Sequence, residues 1–94
     1  MSVAAAIEEK LRAGLAPSRL EIADESDRHR GHAGWRAGGE THFRVTIVSD
    51  RFAGLARVER HRAVNALVAD ELAGPVHALS IVALTPEEAA ARGL

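Results

Sequence analysis

The stretch that decides the fold is His42-Phe43-Arg44-Val45-Thr46-Ile47, residues 42–47. Its apolar residues Phe43, Val45 and Ile47 alternate with polar ones, and this alternation is typical of a β-strand with one buried face. A period of two places the apolar set on a face covered by helices and the polar set on an open face. His42 belongs to the polar set, so we expect its side chain to face solvent.

Two elements and a long connection precede this strand. Apolar residues recur every four positions between Ser2 and Ala13, which predicts a short amphipathic helix with Gly14 as its C′ residue. Alternation over residues 20–24 predicts a half-buried strand. Residues 25–40 between the two strands are rich in glycine, show no apolar periodicity and exceed the usual length of a hairpin loop.

Helices are expected after the strand. Residues 49–54 are typical of a turn, and residues 55–72 show a helical repeat that breaks at Arg60-His61-Arg62. This break predicts a short helix, a corner and then a longer helix. Ala73-Gly74-Pro75 ends the helical stretch, because a residue that precedes proline avoids the helical conformation.

The last part of the chain predicts a strand and a short helix. Val76 to Leu84 is an almost continuous apolar run, as expected for a buried strand. Thr85-Pro86-Glu87-Glu88 is a capping box with proline at the first helical position, and Gly93 follows where that helix should end. The order αββααβ with a terminal helix predicts an α+β fold in one domain, residues 1–94, with a three-stranded sheet and helices packed on one face.

Composition excludes several function classes. The chain has no cysteine, so disulfides, thiolate catalysis and a thiolate metal site of its own are excluded. A net charge of −1 argues against coating nucleic acid or membrane by bulk charge. No apolar run approaches a spanning helix, and Glu8 and Glu9 are atypical of a targeting peptide, so we expect a cytoplasmic protein with no membrane partner. No nucleophile–base pair or phosphate-binding glycine motif is present, which predicts that the chain is not an enzyme.

Histidine is the softest metal ligand that this chain offers. His77 opens the predicted last strand and would point from a stiff support, which suits a ligand. His29 and His32 lie in the glycine-rich connection, where a solvated loop is the alternative role. His42 is expected to be a partly exposed structural residue, and His61, between two arginines, to have a capping or surface role.

The chain resembles the BolA family over nearly its whole length. The resemblance rests on six segments in the family's order: Asp24-Glu25-Ser26, Glu40-Thr41-His42-Phe43-Arg44-Val45, Val48-Ser49-Asp50-Arg51-Phe52, Arg60-His61-Arg62, Ala69-Asp70-Glu71-Leu72 and Pro75-Val76-His77-Ala78-Leu79. It implies a class II KH-like αββααβ fold, in agreement with the order read from the residues.

The resemblance also implies a partner and a cofactor. BolA-like proteins pair with monothiol glutaredoxins and help to traffic or regulate [2Fe–2S] clusters. His77 corresponds to one cluster ligand, and the second comes from the long connection, where the family position falls on His29 and His32 is an alternative. The glutaredoxin thiolate and glutathione would supply the other ligands, and no cluster is expected on the isolated chain.

A DNA-binding transcriptional regulator of stress response and cell shape is the competing function that the resemblance implies. A local basic patch could contact phosphates and would consist of Arg51, Arg57, Arg60 and Arg62. Acidic residues interleave with these arginines, and no Gly-x-x-Gly loop lies between the predicted helices. A homodimer through the open sheet face or an exposed strand edge is a further option.

Overall fold

The computed structural model describes residues 2–25 and 41–94. Along the chain, the helices and strands are α1 (Val3–Leu15), β1 (Arg19–Asp24), β2 (His42–Val48), a 3₁₀ turn (Asp50–Phe52), α2 (Arg57–Leu67), α3 (Ala69–Ala73), β3 (Ala78–Leu84) and α4 (Pro86–Ala91). This order confirms the predicted α+β sequence of elements.

β2 is the central strand of a three-stranded mixed sheet in the order β1-β2-β3. β1 runs antiparallel to it, with Leu20 opposite Ile47, and β3 runs parallel to it, with Ile81 opposite Val45. The third strand therefore lies beside the second hairpin strand, which leaves β1 and β3 as the sheet edges. A parallel neighbour requires a crossover, and α2 and α3 form that crossover.

The main core lies between one face of the sheet and the helices. Phe43, Val45 and Ile47 are buried there, as their alternation predicts. The core is completed by apolar side chains from the helices and from the 3₁₀ turn: Ile7, Leu11, Leu15, Phe52, Val64 and Val68. On the opposite face of the sheet, Arg44 is exposed. Ala89 of α4 packs on this face with Val48 and Leu84, the last residues of β2 and β3.

The predicted end of the first helix is wrong. α1 continues through Gly14 to Leu15, whose buried side chain extends the apolar stripe by one more turn, and Ala16 takes the left-handed cap conformation with φ 43°. Gly14 serves a different purpose: a Cβ atom at this position would lie 2.6 Å from the terminal methyl groups of Leu67. The glycine therefore permits the close approach of α1 and α2.

The predicted break at Arg60-His61-Arg62 is also wrong. α2 runs unbroken from Arg57 to Leu67, and the chain bends at Val68 before the short α3, so the longer helix comes first. The basic residues interrupt the apolar repeat without interrupting the helix, since arginine is a good helix former. Val64 and Val68 are fully buried and hold the end of α2 against the core.

The last two elements largely match their predictions. β3 begins at Ala78 rather than at Val76, so His77 immediately precedes the strand. The capping box of α4 is confirmed: the Thr85 hydroxyl accepts from the Glu88 amide at 3.2 Å, and the Glu88 carboxylate accepts from the Thr85 amide at 2.9 Å. These paired bonds satisfy amide groups that a helix N-terminus otherwise leaves without partners.

Candidate functional site

His77 lies at the end of the sheet, held by its backbone and exposed through its side chain. Its amide donates to the Thr41 carbonyl at 2.7 Å, and the Ala78 amide reaches the same carbonyl at 3.3 Å. On its N-terminal side, the Val76 amide donates to the Glu71 carbonyl at 3.0 Å, and the Val76 side chain is buried. The structure therefore presents an accessible imidazole from a well-anchored backbone.

The connection that carries His29 and His32 starts and ends at the first residues of β2. The chain leaves β1 at Glu25, whose amide donates to the His42 carbonyl at 2.7 Å, and it returns at Thr41. Thr41 is in turn hydrogen-bonded to the His77 amide. His29 and His32 themselves lie outside the described residues. Both ends of their segment are thus attached at the start of β2, and the returning end, at Thr41, is bonded to His77.

His42 is buried, with 7% of its surface exposed, so the prediction that it faces solvent is wrong. Its ring stacks on that of His77, with centroids 6.1 Å apart and an interplanar angle of 16°. Its Nδ1 atom lies 2.9 Å from the buried Thr41 hydroxyl oxygen. The alternation of β2 correctly predicts that His42 lies on the less covered face of the sheet. Local periodicity cannot predict that the ring of His77, which is distant in sequence, stacks on it.

The structure brings His42 and His77 together and places His61 elsewhere. His61 is half-buried on α2 and lines a cleft with residues of β3 and α4. Within residues 2–25 and 41–94, no three histidine, cysteine, aspartate or glutamate side chains are grouped so that they could hold a metal ion. Of the proposed cluster ligands, the described part of the chain contributes His77 alone.

The four arginines of the predicted basic patch have different surroundings. Arg51 donates to the Gly14 carbonyl at 2.9 Å and so satisfies the C-terminal end of α1. Arg62 pairs with Glu59 at 3.2 Å. Arg60 donates to the Ala83 carbonyl at 3.1 Å and to both carboxylate oxygens of Glu88. Arg57 is exposed and lines the same cleft as His61.

Glu88 is held in its charged form by this contact. Hydrogen bonds from the Arg60 guanidinium and from the Thr85 amide lower the pKa of Glu88 from 4.5 to about 2. A carboxylate whose pKa is depressed by folding stabilises the native state at any pH above its unfolded value of 4.5, and this contribution is lost as the pH falls through about 2. The contribution therefore disappears within that pH window.

Glu88→Gln is expected to lower the urea midpoint at neutral pH, because the glutamine keeps the capping oxygen and removes the charge. The difference between the wild type and the variant should shrink as the pH falls from 4.5 toward 2. Glu87→Gln, which removes a charge from the adjacent position of the same helix, is the matched control and should change the midpoint less. A Glu88→Gln difference that stays constant across this pH range would contradict the assignment.

No helix within residues 2–25 and 41–94 combines the length and the apolar character that crossing a bilayer requires.

Comparisons with known proteins agree with this architecture. Residues 11–88 match the family model described as BolA-like protein. BolA-like protein 1 from Homo sapiens is 54% identical over 86 residues, which are 92% of this chain and 60% of the relative, so the chain spans about three-fifths of that protein. The DNA-binding transcriptional regulator BolA from Vibrio cholerae is 49% identical over 82 residues, 87% of this chain and 74% of the relative.

A solved structure shows the same fold. The BolA domain of SufE1 from Arabidopsis thaliana superimposes with a TM-score of 0.84 at 49% identity, covering 94% of this chain and 96% of that domain. The strand order and the two-helix crossover are thus parts of an architecture that matches by sequence and by structure. The chain belongs to the BolA family.

Proposed function

We propose that this chain is a partner of a monothiol glutaredoxin and co-ligates a [2Fe–2S] cluster through His77 and one histidine of the connection between β1 and β2, in iron–sulfur cluster trafficking or iron regulation. The observation that carries the proposal is the hydrogen bond between the His77 amide and the Thr41 carbonyl. It places an exposed imidazole beside the end of the segment that contains His29 and His32.

The donor set suits a shared cluster better than a resident one. The chain has no cysteine, so every thiolate must come from another molecule, for which a glutaredoxin thiolate and glutathione are suitable. An exposed imidazole at a sheet end is accessible to such a partner. Histidine ligation leaves a cluster less negatively charged than thiolate ligation and raises its reduction potential. This chain would therefore supply nitrogen ligands that change the electronic properties of a cluster on its partner.

The proposal is tested by mixing the protein with a [2Fe–2S]-loaded monothiol glutaredoxin and recording visible absorption and circular dichroism. We expect a new spectrum for the wild type. His29→Ala and His32→Ala identify the loop ligand, because only the variant that lacks this ligand should fail to produce the new spectrum. The other variant serves as the matched control. An unchanged glutaredoxin spectrum with the folded wild-type protein would contradict cluster sharing.

His42 is expected to position His77. The two rings lie in the distance range of stacked aromatic pairs, and His42 is held by its buried neighbour Thr41. Groups that orient a metal ligand typically change metal affinity by about 10-fold or more. His42→Ala should therefore weaken cluster sharing by about 10-fold, whereas His42→Phe, which retains a ring for stacking, should weaken it less.

Cluster dissociation is followed by circular dichroism in dilution series of both His42 variants, at a temperature at which each variant is folded. The position of the visible bands provides a readout that a loss of stability would not shift. Equal losses for His42→Ala and His42→Phe would show that stacking is not the way in which His42 acts.

DNA binding is the second candidate, favoured by the name of the Vibrio cholerae relative, a DNA-binding transcriptional regulator. The contacts of the arginines do not favour the predicted patch, since Arg60 and Arg62 are paired with glutamates and Arg51 with a helix end. Phosphate contacts by unpaired cations produce a steep salt dependence of affinity. A DNA affinity that falls steeply with salt, and less steeply in Arg57→Ala, would support this function.

A further inference from the structure

A cleft of about 490 Å³ lies along residues 81–84 of β3, between α2 and α4. Its volume is within the range of small-molecule binding pockets, roughly 300–1,000 Å³. Its walls contain neither His42 nor His77. The cleft is therefore separate from the proposed cluster site.

Both helices direct polar side chains into the cleft by their spacing. Arg57, Arg60 and His61 occupy positions i, i+3 and i+4 of α2, and Glu88, Ala91 and Arg92 have the same spacing along α4 and its C-terminal cap. Residues with this spacing share one face of a helix. The two facing walls together carry three arginines, one histidine and one glutamate.

The negative charge of the one glutamate of the cleft is already paired with an arginine. Glu88 accepts two hydrogen bonds from Arg60, whose side chain is only 12% exposed. This ion pair joins α2 to α4 and holds the two walls at a set distance. The charge of Arg60 is thus balanced by Glu88, and the pair acts as a structural link across the cleft.

The other basic side chains of the cleft have no such partner. Within residues 2–25 and 41–94, the side chains of Arg57, His61 and Arg92 make no hydrogen bond or ion pair with another residue. Guanidinium groups present planar sets of donors that match phosphate oxygens. The cleft therefore has unsatisfied cationic donors on both walls, beside an apolar floor.

An added strand is a poorer fit than a small anion. An extended peptide would need the outward carbonyl groups at the free edge of β3, but the Ala83 carbonyl accepts from Arg60. The bridge between Arg60 and Glu88 also joins the helices beside this edge. The apolar floor formed by Val82 and its neighbours suits the organic part of a small ligand.

We propose that the cleft between α2 and α4 binds a small phosphate monoester, with Arg57 and Arg92 donating to the phosphate from opposite walls and His61 contributing a further donor. The organic part of the ligand lies on the apolar floor of β3. This site is independent of cluster sharing, because it uses none of the proposed cluster ligands.

The test is an amide-resolved NMR titration of the whole chain with adenosine monophosphate and with inorganic phosphate at constant ionic strength. We expect saturable shifts in residues 57–61, 81–84 and 88–92. The double variant Arg57→Ala/Arg92→Ala should bind at least about 10-fold more weakly, as expected for the loss of charge-assisted hydrogen bonds. Its amide dispersion reports whether it is folded.

The matched control is Arg12→Ala/Arg19→Ala, which removes the same charge from exposed arginines paired with Glu8 and Glu21. This control should retain the wild-type affinity. The proposal is overturned if neither probe produces saturable shifts in the cleft, or if the two double variants lose affinity equally. It is also overturned if a single-stranded oligonucleotide displaces adenosine monophosphate at equal phosphate concentration, since the cleft would then be a nucleic-acid site.

Discussion

The His77→Ala variant is expected to leave the spectrum of a [2Fe–2S] monothiol glutaredoxin unchanged, whereas the wild-type protein alters it. The substitution removes the one proposed cluster ligand that lies among the described residues. Backbone hydrogen bonds from the amides of Val76 and His77 anchor this position, and the alanine variant keeps them. The His77 side chain is exposed but stacks on His42, so stability should fall by about 0.5–1.5 kcal/mol, as expected for the loss of one ring pair.

The matched control for this variant is His61→Ala. It also removes one histidine, but from α2 and away from the sheet end, so the wild-type spectral change should persist. Visible circular dichroism of the mixtures and a thermal melt of each variant complete the measurement. If folded His77→Ala changes the glutaredoxin spectrum as the wild-type protein does, His77 is not a cluster ligand. The main support for cluster sharing is then lost.

The Phe52→Ala variant is expected to lose about 3–5 kcal/mol of unfolding free energy, as is typical when a buried aromatic ring is truncated. Phe52 is fully buried in the main core, beneath the guanidinium of Arg60 at 5.9 Å from the ring centroid. The 3₁₀ turn that holds it joins β2 to α2, so the resulting cavity would lie where the crossover begins. A small domain has a total stability of about 5–15 kcal/mol, so this loss is a large fraction of it.

Urea unfolding measures this loss, provided that the slope of the transition stays the same. Val58→Ala is the control, because Val58 is 54% exposed and lies six residues further along the chain; its loss should be below about 0.5 kcal/mol. If Phe52→Ala unfolds at the same urea concentration as Val58→Ala, the position of Phe52 at the base of the crossover is incorrect.

Several elements of this fold follow from the sequence because the forces that form them act between near neighbours. The alternation of Phe43, Val45 and Ile47 determines a strand with one buried face, since successive side chains point to opposite sides. Thr85 and Glu88 determine the start of α4, since both halves of a capping box lie within one helical turn. The family resemblance, carried by motifs along the chain, correctly indicated the BolA architecture.

Other features were decided by residues that are distant in sequence. Gly14 serves helix packing rather than helix termination, since Leu67 of α2 occupies the space that a Cβ atom at this position would need. His42 is buried and stacks on the ring of His77, which comes from the segment before β3. Arg60 does not contribute a free charge to the predicted basic patch, because it is paired with Glu88, which lies 28 residues later in the sequence.

Periodicity and capping signals thus determined which elements form and which face of β2 is buried, because they depend on neighbours within a few residues. Only the tertiary structure decided which histidines meet, which arginines remain unpaired and where the helices approach each other. These outcomes depend on pairs of side chains that the parallel crossover from β2 to β3 brings together, and no local pattern in the sequence encodes such pairs.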